Sequence, residues 1–233
     1  MSVGGEHTVK AFDEEIATLR GLISEMGGLA ETAISDAMTV LVKHDLVGAK
    51  AIVEGDRKID ALEVEVERLA VRIIALRAPM ANDLREVVAA LKISSVVERI
   101  GDYAKNIAKR AALLDGKRKI EAMTVLVAMS QIASEMVHDV LNAFAARDAE
   151  KAVAVIARDQ AVDDFYNSVF RMLVTFMVEN PQSIGNAAHL LFIAKNLERI
   201  GDHATNVAEM VYFAATGDYL ADRGAEPTDA GEL

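Results

Sequence analysis

The sequence of 233 residues is long enough for one or two domains, and its apolar fraction of 52% excludes a disordered chain. The absence of cysteine excludes a disulfide scaffold, an iron–sulfur cluster, a thiolate zinc site and a cysteine nucleophile. A net charge of −11 argues against non-specific binding to nucleic acid or to an anionic membrane, and it favours cationic or metal partners.

Apolar side chains recur at spacings of three and four residues along the chain, and no period-two alternation predicts a strand. Pro79, Pro181, Asp45 and Asp148 break this pattern, as does the Asp-Gly pair at 115–116. The chain also lacks the run of about 18 apolar residues that spans a bilayer and the apolar core of a signal peptide, so we expect a cytoplasmic protein. The breaks predict six helices, at about 8–44, 46–78, 81–114, 117–146, 148–179 and 182–216.

An internal duplication is the strongest signal in the sequence. The motif ERIGDYAKNIA at 98–108 returns as ERIGDHATNVA at 198–208, with eight of eleven positions identical. An earlier segment, DRKID at 56–60, aligns with DQAVD at 159–163. Each half of the chain therefore carries the same three helical segments in the same order.

This duplication predicts an all-α protein made of two tandem, pseudo-symmetric three-helix bundles. We assign residues 1–115 to the first repeat and residues 116–217 to the second. The remaining segment, 218–233, is rich in acids and contains glycine and proline, which predicts a disordered tail.

Acidic side chains occupy matching places in the two repeats. On a helical wheel, Glu98 and Asp102 lie opposite the apolar stripe of their helix, and Glu198 and Asp202 repeat this arrangement. The preceding helix of each repeat adds two aspartates four residues apart, within 56–60 and 159–163. Carboxylates that converge raise one another's pKa or hold a cation, and oxygen ligands suit Mg²⁺, Mn²⁺, Ca²⁺ or ferric iron.

Three other interpretations stay open from the residues alone. The acids could form a solvated face neutralised by Arg99, Lys105 and Arg199, or the whole chain could be a purely structural scaffold. A carboxylate-bridged di-metal enzyme is less well supported, because it needs Glu-x-x-His on inward-facing positions.

No catalytic motif is present, and the basic residues within 109–119 are typical of a helix C-terminus rather than of a nucleic-acid site. We therefore expect a protein that is not an enzyme.

The repeated motif, read as ERIGD-x-A-x-N-[IV]-A, resembles that of the PhoU family. Three upstream segments strengthen the resemblance: EMGGLAE at 25–31, VEGDRKIDALE at 53–63 and RIIALRAPMANDLR at 72–85. The resemblance extends from about His7 to Thr216 and leaves out the acidic tail.

The resemblance implies two three-helix bundles, usually in a homodimer, and a cytoplasmic negative regulator of phosphate uptake and of the phosphate-starvation response. It implies that the partners are the ATPase of the phosphate ABC transporter and a phosphate-sensing histidine kinase, so that the protein meets the membrane only through them. It implies neither an organic cofactor nor binding to nucleic acid.

The resemblance further implies that some members bind metal clusters through acidic motifs on the bundle surface, which here would take Fe, Mn, Mg or Zn. Carried over by position, the expected metal ligands are Asp56, Asp60, Glu98, Asp102, Asp159, Asp163, Glu198 and Asp202. The residues expected to support them are Asn106, Asn206, Asp36 and Asp139.

Overall fold

The computed structural model describes residues 3–114 and 120–220, and side chains from residue 11 onward. This part of the chain is helical and contains no strand, so the predicted all-α class is confirmed. The first repeat comprises α1 (Val3–Lys43), α2 (Leu46–Gly55), α3 (Arg57–Arg77) and α4 (Asn82–Ala111). The second comprises α5 (Ala122–Ala146), α6 (Ala149–Ile156), α7 (Asp159–Glu179), a 3-10 turn (Pro181–Ser183) and α8 (Ile184–Thr216).

Equivalent aspartates begin the second helix of each repeat. The Asp45 carboxylate accepts hydrogen bonds from the backbone N–H groups of Val47 and Gly48, both at 3.0 Å. The Asp148 carboxylate accepts one from the N–H of Lys151, also at 3.0 Å. These side chains satisfy N–H groups that have no partner inside the helix. The breaks predicted at both aspartates are therefore confirmed.

The prediction of one continuous helix over 46–78, and of another over 148–179, is wrong. The first bends at Asp56, where α2 ends and α3 begins, and the second is interrupted at Ala157 and Arg158. The backbone of Asp56 keeps helical dihedral angles, with φ −53° and ψ −34°, so the bend is a local kink rather than a turn. Neither place holds a proline, but Gly55 directly precedes the first, and the helices on both sides of each interruption pack on α4 or α8.

The last helix of each repeat, α4 in the first and α8 in the second, lies at the centre of the molecule, and the two pack against each other. Tyr103 of α4 meets His203 of α8 edge to face, with 5.1 Å between ring centroids. Farther along α4, Arg110 reaches His189 and Phe192, which precede His203 on α8. The two helices therefore run antiparallel about a pseudo-two-fold axis near Tyr103 and His203. The other helices of each repeat pack on its own central helix, which confirms the predicted tandem bundles.

The predicted boundary between the repeats, at residues 115 and 116, lies outside the described residues, as does 221–233 of the predicted tail. Gly217 ends α8 in the left-handed conformation, with φ 88°. Directly after it, the ring of Tyr219 stacks on Phe213 with 4.5 Å between centroids. None of the helices in the described part of the chain has an apolar stretch long enough to cross a bilayer.

Candidate functional site

The predicted acids of the first repeat come together where the kink between α2 and α3 meets α4. This first acidic cluster comprises Asp56, Asp60, Glu98 and Asp102. Asp56 is 7% exposed, although it lies at a helix junction. Its carboxylate accepts a hydrogen bond from the ammonium group of Lys105, which also donates to Asp102. One lysine thus bridges an acid from each of the two elements.

A glycine of the repeated motif allows this close approach. A Cβ atom on Gly101 would lie 2.7 Å from Cδ1 of Ile59 and 3.6 Å from Oδ1 of Asp56. On Gly201, a Cβ atom would lie 3.2 Å from Oδ1 of Asp159. The motif glycine therefore keeps space for the start of α3 or α7, and with it for the first acid of each cluster.

Burial and mutual repulsion shape the charges of the first acidic cluster. Burial, followed by the charges of Asp102 and the neighbouring Glu63, raises the pKa of Glu98. Burial and the charge of Asp56 raise the pKa of Asp60. Burial alone would lower the pKa of Lys105, but its bonds to Asp102 and Asp56 outweigh that effect and raise it. Lys105 therefore stays charged. Glu98 and Asp60 ionise less readily than free carboxyl groups, because burial and the neighbouring acids disfavour their charged forms.

The second acidic cluster, Asp159, Asp163, Glu198 and Asp202, forms in the same way between α7 and α8. Burial is the largest cause that raises the pKa of Asp202, to about 6, and the charges of Glu198 and Asp159 add to it. Burial and Glu198 also raise the pKa of Asp163. Within the described residues, Oε2 of Glu198 is buried without a hydrogen-bond donor. This cluster therefore holds crowded carboxylates, one of which has a buried oxygen that no donor among the described residues satisfies.

The counter-charges of the two clusters come from different positions. In the second cluster, Lys195 pairs with Glu198 from one turn before it, whereas Lys105 follows Asp102 by three residues. In the opposite repeat, the equivalent of Lys105 is Thr205 and the equivalent of Lys195 is Ser95. The sequence predicts a neutralising role for Lys105 but does not single out Lys195. Lys195 lies three residues before the repeated motif, so a comparison of the residues that flank the two motifs, Ser95 and Lys195, finds it.

Only some of the expected supporting residues lie beside the clusters. Asp36 lines the same cleft as Asp56. Asp139 instead accepts a hydrogen bond from Arg158, at 2.6 Å. Asn106 is exposed, and Asn206 lines a groove with Lys92 and Phe213 rather than joining the second acidic cluster.

The donor chemistry suits hard cations, because every acid of the clusters offers carboxylate oxygens. As the side chains are arranged, no three carboxylate or imidazole groups among the described residues come together closely enough to enclose a metal ion. In the first acidic cluster, the Lys105 ammonium group lies between two of the carboxylates. The clusters thus have the type of ligand that a hard cation prefers. In the first cluster, the ammonium group of Lys105 provides the positive charge.

Fold and clusters together define a class of protein: a duplicated all-α chain whose central helices pair across a pseudo-two-fold axis and carry an acidic cluster each. Residues 23–111 and 126–211 both match the model of the PhoU domain. The chain belongs to the PhoU family.

Individual relatives agree over nearly the full length. The phosphate-specific transport system accessory protein PhoU homolog of Zymomonas mobilis is 56% identical over 217 residues, which cover 93% of this chain and 92% of that protein. The crystal structure of PhoU from Pseudomonas aeruginosa is similar with a TM-score of 0.85 and 35% identity, over 89% of this chain and 100% of that one. The phosphate transport system regulatory protein PhoU from Streptococcus pneumoniae has the same TM-score at 28% identity, over 90% of this chain and 99% of that one.

Proposed function

We propose that this chain is a non-enzymatic accessory protein of phosphate transport that also regulates the response to phosphate starvation. The observation that carries the proposal is the 56% identity to the Zymomonas mobilis accessory protein over nearly the whole of both chains. The name of the Streptococcus pneumoniae relative adds a regulatory role. Both PhoU domains are present here, so the proposal concerns the complete duplicated unit.

In finer detail, we propose that the protein acts in the cytoplasm as a negative regulator. It would bind the ATPase of the phosphate ABC transporter and a phosphate-sensing histidine kinase, and it would hold the kinase in its repressing state when phosphate is plentiful. Two copies would form a homodimer. A binding adaptor of this kind needs exposed helix faces rather than a catalytic group, which is what the long helices of the two bundles offer.

A deletion strain tests this role. Without the gene, a reporter of phosphate-starvation genes should stay active at high phosphate, and the intact gene should restore repression. The purified protein should retain the transporter ATPase and the kinase in a pull-down, and it should sediment at twice the chain mass. Normal repression at high phosphate in the deletion strain would reject the proposal.

We further propose that the acidic clusters take up hard metal ions such as Fe, Mn or Mg, or Zn. The raised pKa values of Glu98 and Asp202 support this, because crowded, partly buried carboxylates gain from a cation placed among them. Binding would move the ammonium groups of Lys105 and Lys195 aside. The carboxylates would then supply the ligands and hold the ion, and we assign the ion no chemical step.

Paired substitutions test the metal proposal. Glu98→Gln together with Glu198→Gln should lower bound Mn²⁺ or Fe³⁺, measured by elemental analysis after dialysis, while the circular dichroism of the helices stays the same. Glu25→Gln together with Glu65→Gln is the matched control, since both residues are exposed and belong to neither cluster. Equal metal content in the first variant and the parent protein would reject the assignment of the site.

A further inference from the structure

The first repeat contains a cleft that the acidic clusters do not account for. This first-repeat cleft, of about 460 Å³, lies between α1, the kink of α2 and α3, and Gly101 of α4. Its walls include the apolar side chains of Leu29, Ala33 and Ile52. Asp36 from α1 also lines it, and Asp56 reaches it from the kink. An apolar cleft with a carboxylate at its edge fits a side chain that is aliphatic along its length and cationic at its end.

The second repeat has larger side chains at two of the equivalent positions. Aligning Asp56 with Asp159 puts Met136 where the first repeat has Ala33, and Arg158 where it has Gly55. Met136 is fully buried. Arg158 donates from Nη1 to Oδ2 of Asp139 and from Nη2 to Oε2 of Glu135, both at 2.6 Å. One guanidinium group thus links α5 to the junction of α6 and α7.

The first repeat keeps the acceptor but lacks the arginine. Asp36 is the equivalent of Asp139, and among the described residues no ion pair or hydrogen bond engages its carboxylate. Thr32 replaces Glu135 and donates its hydroxyl to the Gly28 carbonyl at 2.8 Å. Gly55 is exposed, and a Cβ atom placed on it would contact nothing within 4 Å. The cleft therefore keeps one of the two acids that bind Arg158 in the second repeat and lacks the cation.

We propose that the first-repeat cleft binds an arginine side chain presented by a protein partner, in the place that Arg158 fills in the second repeat. Three acids, Asp36, Asp45 and Asp56, line the cleft against one cation, Lys58. Asp45 caps α2 and Asp56 pairs with Lys105, which leaves Asp36 to receive the ligand. Its two oxygens can accept two parallel N–H bonds from a guanidinium group, an arrangement that lysine cannot reproduce.

The inference rests on the proposed function in one respect, namely that the protein acts by binding other proteins. The direct test avoids that assumption by using a small probe. Backbone amide shifts of the full chain are followed by NMR during titration with N-acetyl-arginine amide, and in parallel with N-acetyl-citrulline amide, which has the same shape without the charge. Saturable shifts at Thr32, Asp36 and Gly55 with the arginine probe alone are expected. Equal shifts with both probes, or shifts confined to other residues, would overturn the proposal.

A substitution copied from the second repeat sharpens this test. Gly55→Arg supplies the missing side chain from within the chain, so it should lower the affinity for the arginine probe about threefold. Gly55→Gln, which is similar in length and uncharged, should leave it unchanged. Both variants should fold, because the position is exposed, not strained, and gains helix propensity when glycine is replaced. Undiminished arginine binding by Gly55→Arg would overturn the assignment of the cleft.

A pull-down connects the cleft to a partner. Gly55→Arg should retain about threefold less of the transporter ATPase or of the kinase than Gly55→Gln does. If the substitution abolishes self-association and leaves partner capture intact, the arginine comes from a second copy of the chain and the partner assignment is wrong. The NMR titration contains no partner, so a failure of the cleft and a failure of the proposed function give different results.

Discussion

The two acidic clusters share their acids and differ in the cations that balance them. In the first, Lys105 bridges the buried Asp56 and the more exposed Asp102. In the second, Lys195 pairs with Glu198, and the pKa of Asp202 rises to about 6. The motif thus keeps the positions of the acids and of the glycine, while the counter-charge has changed position between repeats. The two repeats therefore share the acids and the glycine that make room for them. The position of the lysine affects how strongly the carboxylates of each cluster repel one another.

The largest expected effect concerns the shared glycine. Gly101→Val and Gly201→Val should each lower the free energy of unfolding by about 2–3 kcal/mol, because a side chain there presses on the start of α3 or α7. Urea denaturation at neutral pH measures it. Gly21→Val is the control, since a Cβ atom at Gly21 has no neighbour within 4 Å, and it should be neutral or slightly stabilising. Losses below about 0.5 kcal/mol in both repeats would show that the glycine is not needed for packing.

Substitution of the two lysines should lower the stability of the protein by different amounts. Lys105→Met should cost about 2 kcal/mol, because it leaves Asp56 charged and buried without its partner. Lys195→Met should cost less than about 1 kcal/mol, since Lys195 is 41% exposed and pairs with one acid among the described residues. Urea denaturation in the presence of a chelator gives both values. Equal losses would contradict the difference that we draw between the clusters.

Substitution of the equivalent aspartates Asp102 of α4 and Asp202 of α8 should change the stability of the protein in opposite directions. Asp202→Asn should stabilise the protein by about 1 kcal/mol at about pH 8, once solvent screening is allowed for. Asp102→Asn should destabilise it, because it removes a partner of Lys105. The Asp202 pKa is raised in the folded state, so ionisation of this group costs stability as the pH rises from about 4 to above 6. The gain from Asp202→Asn should therefore vanish near pH 4, and a gain independent of pH would show another cause.

The smallest expected effect is that of Arg158. Arg158→Gln should cost about 0.5 kcal/mol, because its acidic partners Asp139 and Glu135 are about half exposed. The cost should shrink further in high salt, which screens exposed pairs. Thermal denaturation at low and high NaCl concentration measures it. A loss above about 2 kcal/mol would mean that Arg158 holds the second repeat together, and that Gly55 is then not its simple counterpart.

The sequence predicted the features that are local or repeated. Asp45 and Asp148 marked helix starts because their side chains cap the next turn, and the repeated motif indicated the two bundles. The kink at Asp56 escaped prediction because no proline marks it, and its local signal, Gly55 directly before it, is a residue that helices also tolerate. The wheel placed Glu98 opposite the apolar stripe, but a wheel of one helix cannot show that α3 covers that side and half buries the acid. The metal assignment stays a prediction.

The contact between Tyr103 and His203 has an evolutionary consequence. These residues hold the same place in the two repeats and touch each other at the pseudo-two-fold axis. In a symmetric pair of separate identical chains, such a position faces a copy of itself, so every substitution changes both sides of the contact at once. Fusion of two copies into one gene removes that restriction. A histidine can then meet a tyrosine edge-on, with Arg199 over the tyrosine ring, and each half becomes free to acquire a role that the other does not share.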